Sequence, residues 1–212
     1  MKASLNIDES LHLPIYFKRI IEDEEKIEKL RRTSESYVIE HPEEWGASWG
    51  KQPSTENSTQ ICDNIFNNKG GFEELEKRIE RRIQDYYNYL GIDPQKSWVT
   101  HESWLNACKP GHFQECREHP FSIISGVFYI QTPNDREGRN FKIKNTLSFE
   151  WQFPTENDPG PLAQNKFLDP KEGDLILFPS NIEHEVTKNM SEDLRFSLAF
   201  NLTLEHLNFR KK

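Results

Sequence analysis

The chain has 212 residues, which is long enough for one domain with a substantial core. Its formal net charge is −8 and it contains no long run of Lys or Arg, so the basic surface typical of nucleic-acid-binding proteins is not expected. Aromatic residues make up 12% of the chain, which argues against disorder.

Cysteine usage and hydropathy bear on the cellular compartment. Cys62, Cys108 and Cys116 form no CxxC motif, and their odd number argues against a disulfide framework. The first residues contain no apolar core of a signal peptide, and no apolar run approaches the roughly 20 residues that cross a bilayer. These features predict a cytoplasmic protein with no membrane partner.

The first half of the chain has helical features. Residues 22–33 begin with acidic residues and end with basic ones, a polarity that suits the dipole of a surface helix. Residues 40–71 are rich in Pro, Gly, Ser, Thr and Asn and are predicted to form a long irregular connection. Over 72–91 the apolar residues recur every three or four positions and trace one helical stripe, and Gly91 is a natural C-terminal cap.

After residue 95 the pattern changes to extended segments rich in Val, Ile, Phe, Tyr and Thr, separated by turn residues. Six such segments and a shorter seventh are predicted, at 97–106, 121–132, 139–153, 173–179, 183–188, 194–204 and, for the shorter one, 112–118. Helices followed by many strands favour an α+β, mainly β fold. We expect a single domain, in which a helical support region over 1–95 packs on one sheet of a double-stranded β-helix (jelly roll) over 96–207.

The last segment alternates strictly in polarity. Its apolar positions, from Leu194 to Leu202, would pack against the helices, and its polar positions, beginning with Arg195 and Ser197, would point into the barrel. A buried arginine is costly without an anionic partner, and a guanidinium with a hydroxyl two residues later can hold one carboxylate. For this strand taken alone, a solvated polar face is an equally good interpretation.

His184 on the preceding segment is placed to bind a metal, while the Arg-x-Ser pair holds the far carboxylate of a bidentate ligand on that metal. The segment from about 98 to 203 resembles the 2-oxoglutarate/Fe(II)-dependent oxygenases, and more closely a branch found in bacteria and phages, cyanophages included. The stretches that carry the resemblance are SWLN at 103–106, GHFQECREHPFSIISGVFYI at 111–130, GDLILFPSNIEHEV at 173–186 and RFSLAFN at 195–201.

The resemblance implies Fe(II) as a cofactor and 2-oxoglutarate as a cosubstrate. His184 occupies the place of the second metal motif, and Tyr129 falls where related enzymes place a further hydrogen-bond donor to the distal carboxylate. A sheet-core aromatic is the other interpretation of Tyr129, and the two asparagines could line the pocket or satisfy backbone groups. The residues expected to bind 2-oxoglutarate are Arg195, Ser197, Tyr129, Asn201 and Asn106.

The first metal motif of the family is H-x-D, or H-x-H followed by Pro in the closer branch, and this chain departs from it. The aligned triplet is Arg117-Glu118-His119. A guanidinium stays protonated and is no metal ligand, which leaves His119 and His184. Glu118 is the proposed third ligand, although strand alternation turns it away from His119 unless the strand bulges. Other candidate ligands are Glu115, which shares the face of Arg117 and His119, His112 and Cys116, whereas His101 is interpreted as structural.

The expected catalytic residues are therefore His119, His184 and Arg195. The expected function is hydroxylation of an unidentified small molecule or protein side chain, with release of succinate and CO₂, in the cytoplasm (of the host, if the gene is carried by a phage). The alternative is a metal-free jelly-roll relative in which an anion binds between Arg117 and Arg195. A cupin-like isomerase or thiol dioxygenase would need histidines that this chain lacks.

Overall fold

The computed structural model describes residues 13–40, 59–63, 65–68, 70–93, 98–133, 141–144 and 165–204. Within them the elements in chain order are β1 (Tyr16–Arg19), α1 (Glu24–Glu40), β2 (Thr59–Asp63), α2 (Ile65–Asn68), α3 (Glu73–Leu90), β3 (Trp98–Cys108), β4 (Gln114–Arg117), β5 (Ile124–Gln131), β6 (Phe141–Lys144), β7 (Asn165–Leu168), β8 (Asp174–Pro179), β9 (His184–Val186) and β10 (Arg195–Leu204). None of the helices in these ranges has the length and apolar character needed to span a membrane.

Two antiparallel sheets form the body of the protein. The larger sheet has the strand order β1-β8-β5-β10-β3-β2 and the smaller one β4-β9-β6-β7. One apolar cluster lies between them and draws on both, with Trp104 and Tyr129 from the larger sheet and Phe141 and Leu168 from the smaller. The predicted double-stranded β-helix is therefore confirmed.

A second apolar cluster lies on the outer face of the larger sheet. The predicted stripe on α3, which includes Leu75, Ile79 and Ile83, is buried against it. Gly91 ends α3 in a left-handed conformation, as predicted. On β10, Phe196 and the alternate apolar residues after it join the same cluster. The helices thus cover one sheet, and the polar face of β10 is turned towards the other sheet.

Helix α1 continues to Glu40, beyond the predicted end at residue 33. Three hydroxyls inside the helix donate to the carbonyl four residues earlier, including Ser34 Oγ to the Leu30 oxygen at 2.9 Å. A serine or threonine satisfied in this way does not end a helix. The start of the helix is capped by Asp23, whose Oδ1 accepts hydrogen bonds from the backbone N–H groups of Glu25 and Lys26 at 3.0 and 3.3 Å.

The prediction of an irregular connection over 40–71 was wrong in part, because β2 and α2 lie inside it. Strand β2 pairs with β3 and extends the larger sheet by one strand, a long-range contact that local composition does not reveal. Strands β1 and β7 were also missed, and each joins a sheet edge. Residues 41–58, 64 and 69 of this segment, and most of the predicted strand at 139–153, fall outside the described residues.

Gly173 joins the N-terminal segment to the sheet behind the cavity. Its φ is +86°, its N–H donates to the Tyr129 oxygen at 2.9 Å, and its carbonyl accepts from the N–H of Ile20 at 2.9 Å. A Cβ at this position would lie 2.0 Å from the Ile21 oxygen. The close approach leaves room for glycine alone.

We expect Gly173→Ala to destabilise the fold much more than Gly91→Ala. Both positions have positive φ, which costs about 1–2 kcal/mol for alanine, but nothing lies within 4 Å of a Cβ at Gly91. The clash at Gly173 adds a further ~1–3 kcal/mol. Urea unfolding of the two variants measures the difference, and equal losses of unfolding free energy would contradict the role given to Gly173.

Candidate active site

A cavity between the two sheets collects polar side chains from five strands. Arg195, Ser197 and Asn201 enter it from β10, on the face predicted from the alternation of that strand. The other lining residues that carry polar groups or rings are Trp104, Asn106, Cys108, Gln114, Arg117, His119, Ser125, Tyr129, Phe141, Phe178, His184 and Phe200. The tertiary structure therefore brings the predicted histidines and the predicted carboxylate clamp into one chamber.

His119 and His184 face each other in this cavity. Their ring centroids are 5.1 Å apart, and the His119 ring lies 5.9 Å from that of Trp104. His184 Nδ1 lies 2.9 Å from the Ile182 carbonyl oxygen. Because a carbonyl only accepts, Nδ1 carries the proton, and Nε2 of His184 keeps a lone pair.

Burial keeps both imidazoles neutral. It lowers the pKa of His184 to about 4, against the hydrogen bond to Ile182, and the charge of Arg117 lowers it further. It also lowers the pKa of His119 to about 3, with smaller contributions in the same direction from His184 and Arg117. Two neutral imidazoles are therefore available as metal ligands at neutral pH.

Arg195 is buried, with 3% of its surface exposed. Its Nη2 donates to Cys108 Sγ at 2.9 Å, and its Nη1 and Nη2 lie 3.4 and 3.5 Å from the Thr187 oxygen. In the part of the chain that the structure describes, no carboxylate forms an ion pair with Arg195. A buried guanidinium with only long or sulfur contacts has unused capacity for an anion.

Ser197 and Tyr129 lie beside Arg195. Ser197 Oγ accepts a hydrogen bond from Asn106 Nδ2 at 3.4 Å, which leaves its own proton free to donate. The Tyr129 hydroxyl is buried and has no hydrogen-bond partner among the described residues. Burial raises the pKa of Tyr129, and Arg195 only partly opposes this, so the hydroxyl stays protonated.

Residues 102–201 match the model of the family described as "Putative 2OG-Fe(II) oxygenase". Over these residues the chain is similar to the 2-oxoglutarate/Fe(II)-dependent oxygenases. The family uses Fe(II) and 2-oxoglutarate. No curated protein sequence matches the chain.

Solved structures with the same fold include three proteins of low sequence identity to this chain. HygX from Streptomyces hygroscopicus, with nickel and 2-oxoglutarate bound, has a TM-score of 0.64 at 11% identity over 91% of this chain and 83% of its own. The carbocyclase SnoK from nogalamycin biosynthesis has a TM-score of 0.61 at 10% identity, and the match covers 90% of this chain and 79% of SnoK. A prolyl-4-hydroxylase of Pseudomonas putida has a TM-score of 0.57 at 13% identity, and the match covers 89% of this chain and 92% of the hydroxylase. At these identities the likeness establishes a shared jelly-roll fold.

Arg117 also lines this cavity. It pairs with His184 across the β4–β9 ladder, and its Nη2 donates to Gln114 Oε1 at 2.8 Å. Its Nε is buried and lacks a hydrogen-bond partner in the described structure. Burial lowers the pKa of Arg117 to about 10, which still leaves a full positive charge at neutral pH.

A bulge in β4 determines which residues of this strand line the cavity. Gln114 pairs with Val186 and Arg117 with His184, so three steps on β4 match two on β9. The bulge brings Gln114 into the cavity and leaves Glu115 exposed, which corrects the expectation that Glu115 shares the face of Arg117 and His119. Gln114 was missed because strict alternation puts it on the opposite face.

The structure does not bring the proposed third ligand to the cavity. Glu118 follows the end of β4, is exposed and does not line the chamber. Cys116 is exposed, and His112 lies outside the chamber, with its carbonyl 3.3 Å from Cys108 Sγ. The side chain of His101 falls outside the described residues. Across the described ranges, no three His, Cys, Asp or Glu residues are grouped to hold a metal, so the site offers two histidines.

Both predicted asparagines line the cavity and are also hydrogen-bonded. Asn106 Oδ1 accepts from Trp104 Nε1 at 3.0 Å and from Gln114 Nε2 at 3.1 Å. Asn201 Oδ1 accepts from Ser125 Oγ at 2.7 Å. The amides therefore fix the walls of the cavity, and Asn106 also orients the hydroxyl of the clamp.

Protein stability should fall with acidity because His184 is held neutral. Above its ordinary pKa of 6.5, His184 is neutral in both the folded and the unfolded protein, so its titration does not lower the stability. As the pH falls from 6.5 to about 4, only the unfolded state binds the proton, which costs up to ~1.4 kcal/mol per pH unit for each such histidine. Urea unfolding between pH 7.5 and 4.5 should give a shallower slope in His184→Asn, and an unchanged slope would refute this account.

Proposed function

We propose that the protein is a 2-oxoglutarate- and Fe(II)-dependent dioxygenase that hydroxylates an organic substrate and releases succinate and CO₂. The observation that carries the proposal is the presence, in one buried chamber, of a neutral histidine pair and of Arg195 without a carboxylate ion pair among the described residues. Two findings support it. Residues 102–201 match the oxygenase family model, and the chain shares its fold with HygX, whose structure holds nickel and 2-oxoglutarate.

The donor set fits the metal at two positions. His119 and His184 would hold Fe(II) through neutral imidazole nitrogens, and the hydrogen bond from His184 Nδ1 to the Ile182 carbonyl oxygen orients one of the rings. The bound metal would supply the activation of dioxygen that is coupled to oxidative decarboxylation of 2-oxoglutarate. The two imidazoles would hold the metal together with the keto acid end of the cosubstrate.

The clamp fits the far carboxylate of the cosubstrate. Arg195 would donate from its guanidinium, and Ser197 would donate the proton that its contact with Asn106 leaves free. The unpartnered hydroxyl of Tyr129 provides a third donor, and its raised pKa keeps it a donor at neutral pH. Arg195, Ser197 and Tyr129 thus supply three donors to this part of the cavity. None of the described residues that line the cavity is an Asp or Glu that could accept from them.

Apolar rings enclose the histidines and limit the access of water. The Phe178 and Phe141 rings lie 4.7 and 5.4 Å from that of His184, and Trp104 lies against His119. Packing of this kind fixes the rotamers of the ligands and keeps the reacting region in a low dielectric.

Arg117 supports a second candidate function. A fixed positive charge beside the histidine pair is unfavourable for a divalent cation, and with Arg195 it would suit a metal-free protein that binds an anion. Retention of Fe(II) separates the two candidates, because the metal-free protein would not retain it.

Anaerobic addition of Fe(II) and then 2-oxoglutarate should produce the weak visible charge-transfer band of a chelated keto acid. We expect His184→Ala to abolish the band, and Arg195→Ala to weaken 2-oxoglutarate binding about 100-fold because a charge-assisted contact is lost. Arg32→Ala, whose side chain is 75% exposed on α1, is the matched control and should behave as wild type. If the wild-type protein gives no band and retains no metal, the oxygenase proposal is wrong.

Replacing the charge at position 117 by an imidazole should strengthen metal binding. Arg117→His removes a cation and offers a third nitrogen opposite His184, and we expect affinity for Ni(II), the probe, to rise about tenfold or more. Arg117→Lys keeps the charge and serves as the control. Equal Ni(II) affinity in calorimetric titrations of wild type and Arg117→His would show that position 117 does not face the metal.

A further inference from the structure

The oxygenase cavity holds more positive charge than its walls balance. Arg117 and Arg195 both line it, and none of its described lining residues is Asp or Glu. The charges of Fe(II) and of doubly charged 2-oxoglutarate would cancel, so the cavity would keep a net positive charge equal to that of its two arginines. Uncompensated charge in a low-dielectric chamber is unfavourable, so an additional anion is expected there.

Arg117 is fixed in place with an unused donor. Its Nη2 donates to Gln114 Oε1 at 2.8 Å, and Gln114 Nε2 donates in turn to Asn106 Oδ1 at 3.1 Å. Its Nε is buried without a hydrogen-bond partner among the described residues. Buried polar groups in native proteins are almost always satisfied, so an orphaned N–H in a cavity wall marks the place of a missing ligand.

The position of Arg117 differs from that of the Arg195 clamp. The Arg117 guanidinium donates to Gln114 Oε1, whereas that of Arg195 donates to Cys108 Sγ and lies against the Thr187 carbonyl oxygen. The two guanidinium groups share no hydrogen-bond partner among the described residues. Each arginine would therefore offer its own donors to an anionic group.

We propose that Arg117 forms a carboxylate-binding subsite beside the His119–His184 pair and that the substrate is anchored there by a carboxylate group. A guanidinium presents planar, paired N–H donors that match a carboxylate. The anchored substrate would lie next to the histidines, where a hydroxylation would take place. The substrate assignment rests on the proposed function, whereas the subsite itself depends only on Arg117 and its surroundings.

Acetate is a suitable probe of the subsite in the metal-free protein. It is titrated at constant ionic strength, replacing a bulky sulfonate anion, while the ¹⁵N–¹H resonance of Arg117 Nε is followed and assigned by its loss in Arg117→Gln. We expect a saturable shift of this resonance and a rise in Tm that grows with acetate concentration. In the Arg195→Gln background, where the carboxylate clamp no longer contributes, the rise should vanish when Arg117→Gln is added. It should be at least about tenfold less sensitive to acetate when Arg117→Lys is added, because lysine keeps the charge but lacks the paired donors.

Arg195→Gln is the matched control, since it removes the other arginine of the same cavity. The acetate-dependent shift of Arg117 should persist in this variant with the same midpoint. A resonance of Arg117 that does not respond to acetate overturns the subsite, and so does a Tm rise in Arg195→Gln that survives the addition of Arg117→Gln. A stronger response to chloride than to acetate overturns the carboxylate assignment and makes Arg117 a site for a small inorganic anion.

The subsite and the oxygenase proposal can fail separately. Binding of Ni(II) and 2-oxoglutarate is measured by calorimetry on the same preparations. Acetate bound at Arg117 in a protein that binds neither Ni(II) nor 2-oxoglutarate would refute the oxygenase and keep the subsite. Ni(II) and 2-oxoglutarate bound in a protein whose Arg117 ignores acetate would refute the subsite alone.

Discussion

Strand β10 separates the two environments on which the rest of the structure depends. It is paired on both sides, with β5 and β3, so its backbone is satisfied and its residues can face only two ways. The apolar residues from Phe196 onwards are sealed by the helices. The alternate positions must then face the closed interior, and Arg195 has no route to solvent. A guanidinium buried in this way is costly without an anionic partner, which is the physical basis of the proposed carboxylate clamp.

The polar groups of the cavity divide into those that satisfy one another and those that do not. Asn106 joins β3, β4 and β10 through bonds with Gln114 and Ser197, which gives the chamber rigid polar walls. The Tyr129 hydroxyl and Arg117 Nε have no hydrogen-bond partner among the described residues. Because a rigid wall cannot move to satisfy them, these two groups indicate where a ligand would be held.

The fold limits the chemistry of this protein but does not select its reaction. Solved structures of the same fold include a carbocyclase, an epimerase and a prolyl hydroxylase, so the jelly roll alone does not specify the product. The selecting features are local, and in this chain the most distinctive one is Arg117. A fixed charge beside the histidine pair changes which ligands the chamber tolerates, and it favours anions.

The sequence by itself determined the elements whose patterns are periodic and local. The stripe of α3, the alternation of β10 and the positions of His184 and Arg195 were all predictable, because one period in the sequence corresponds to one face of an element. The tertiary structure alone decided that Gln114 enters the cavity, that Glu118 stays outside it, and that polar segments such as β2 become strands. A bulge or an edge strand is stabilised by its pairing with a distant strand, and that pairing leaves no local pattern in the sequence.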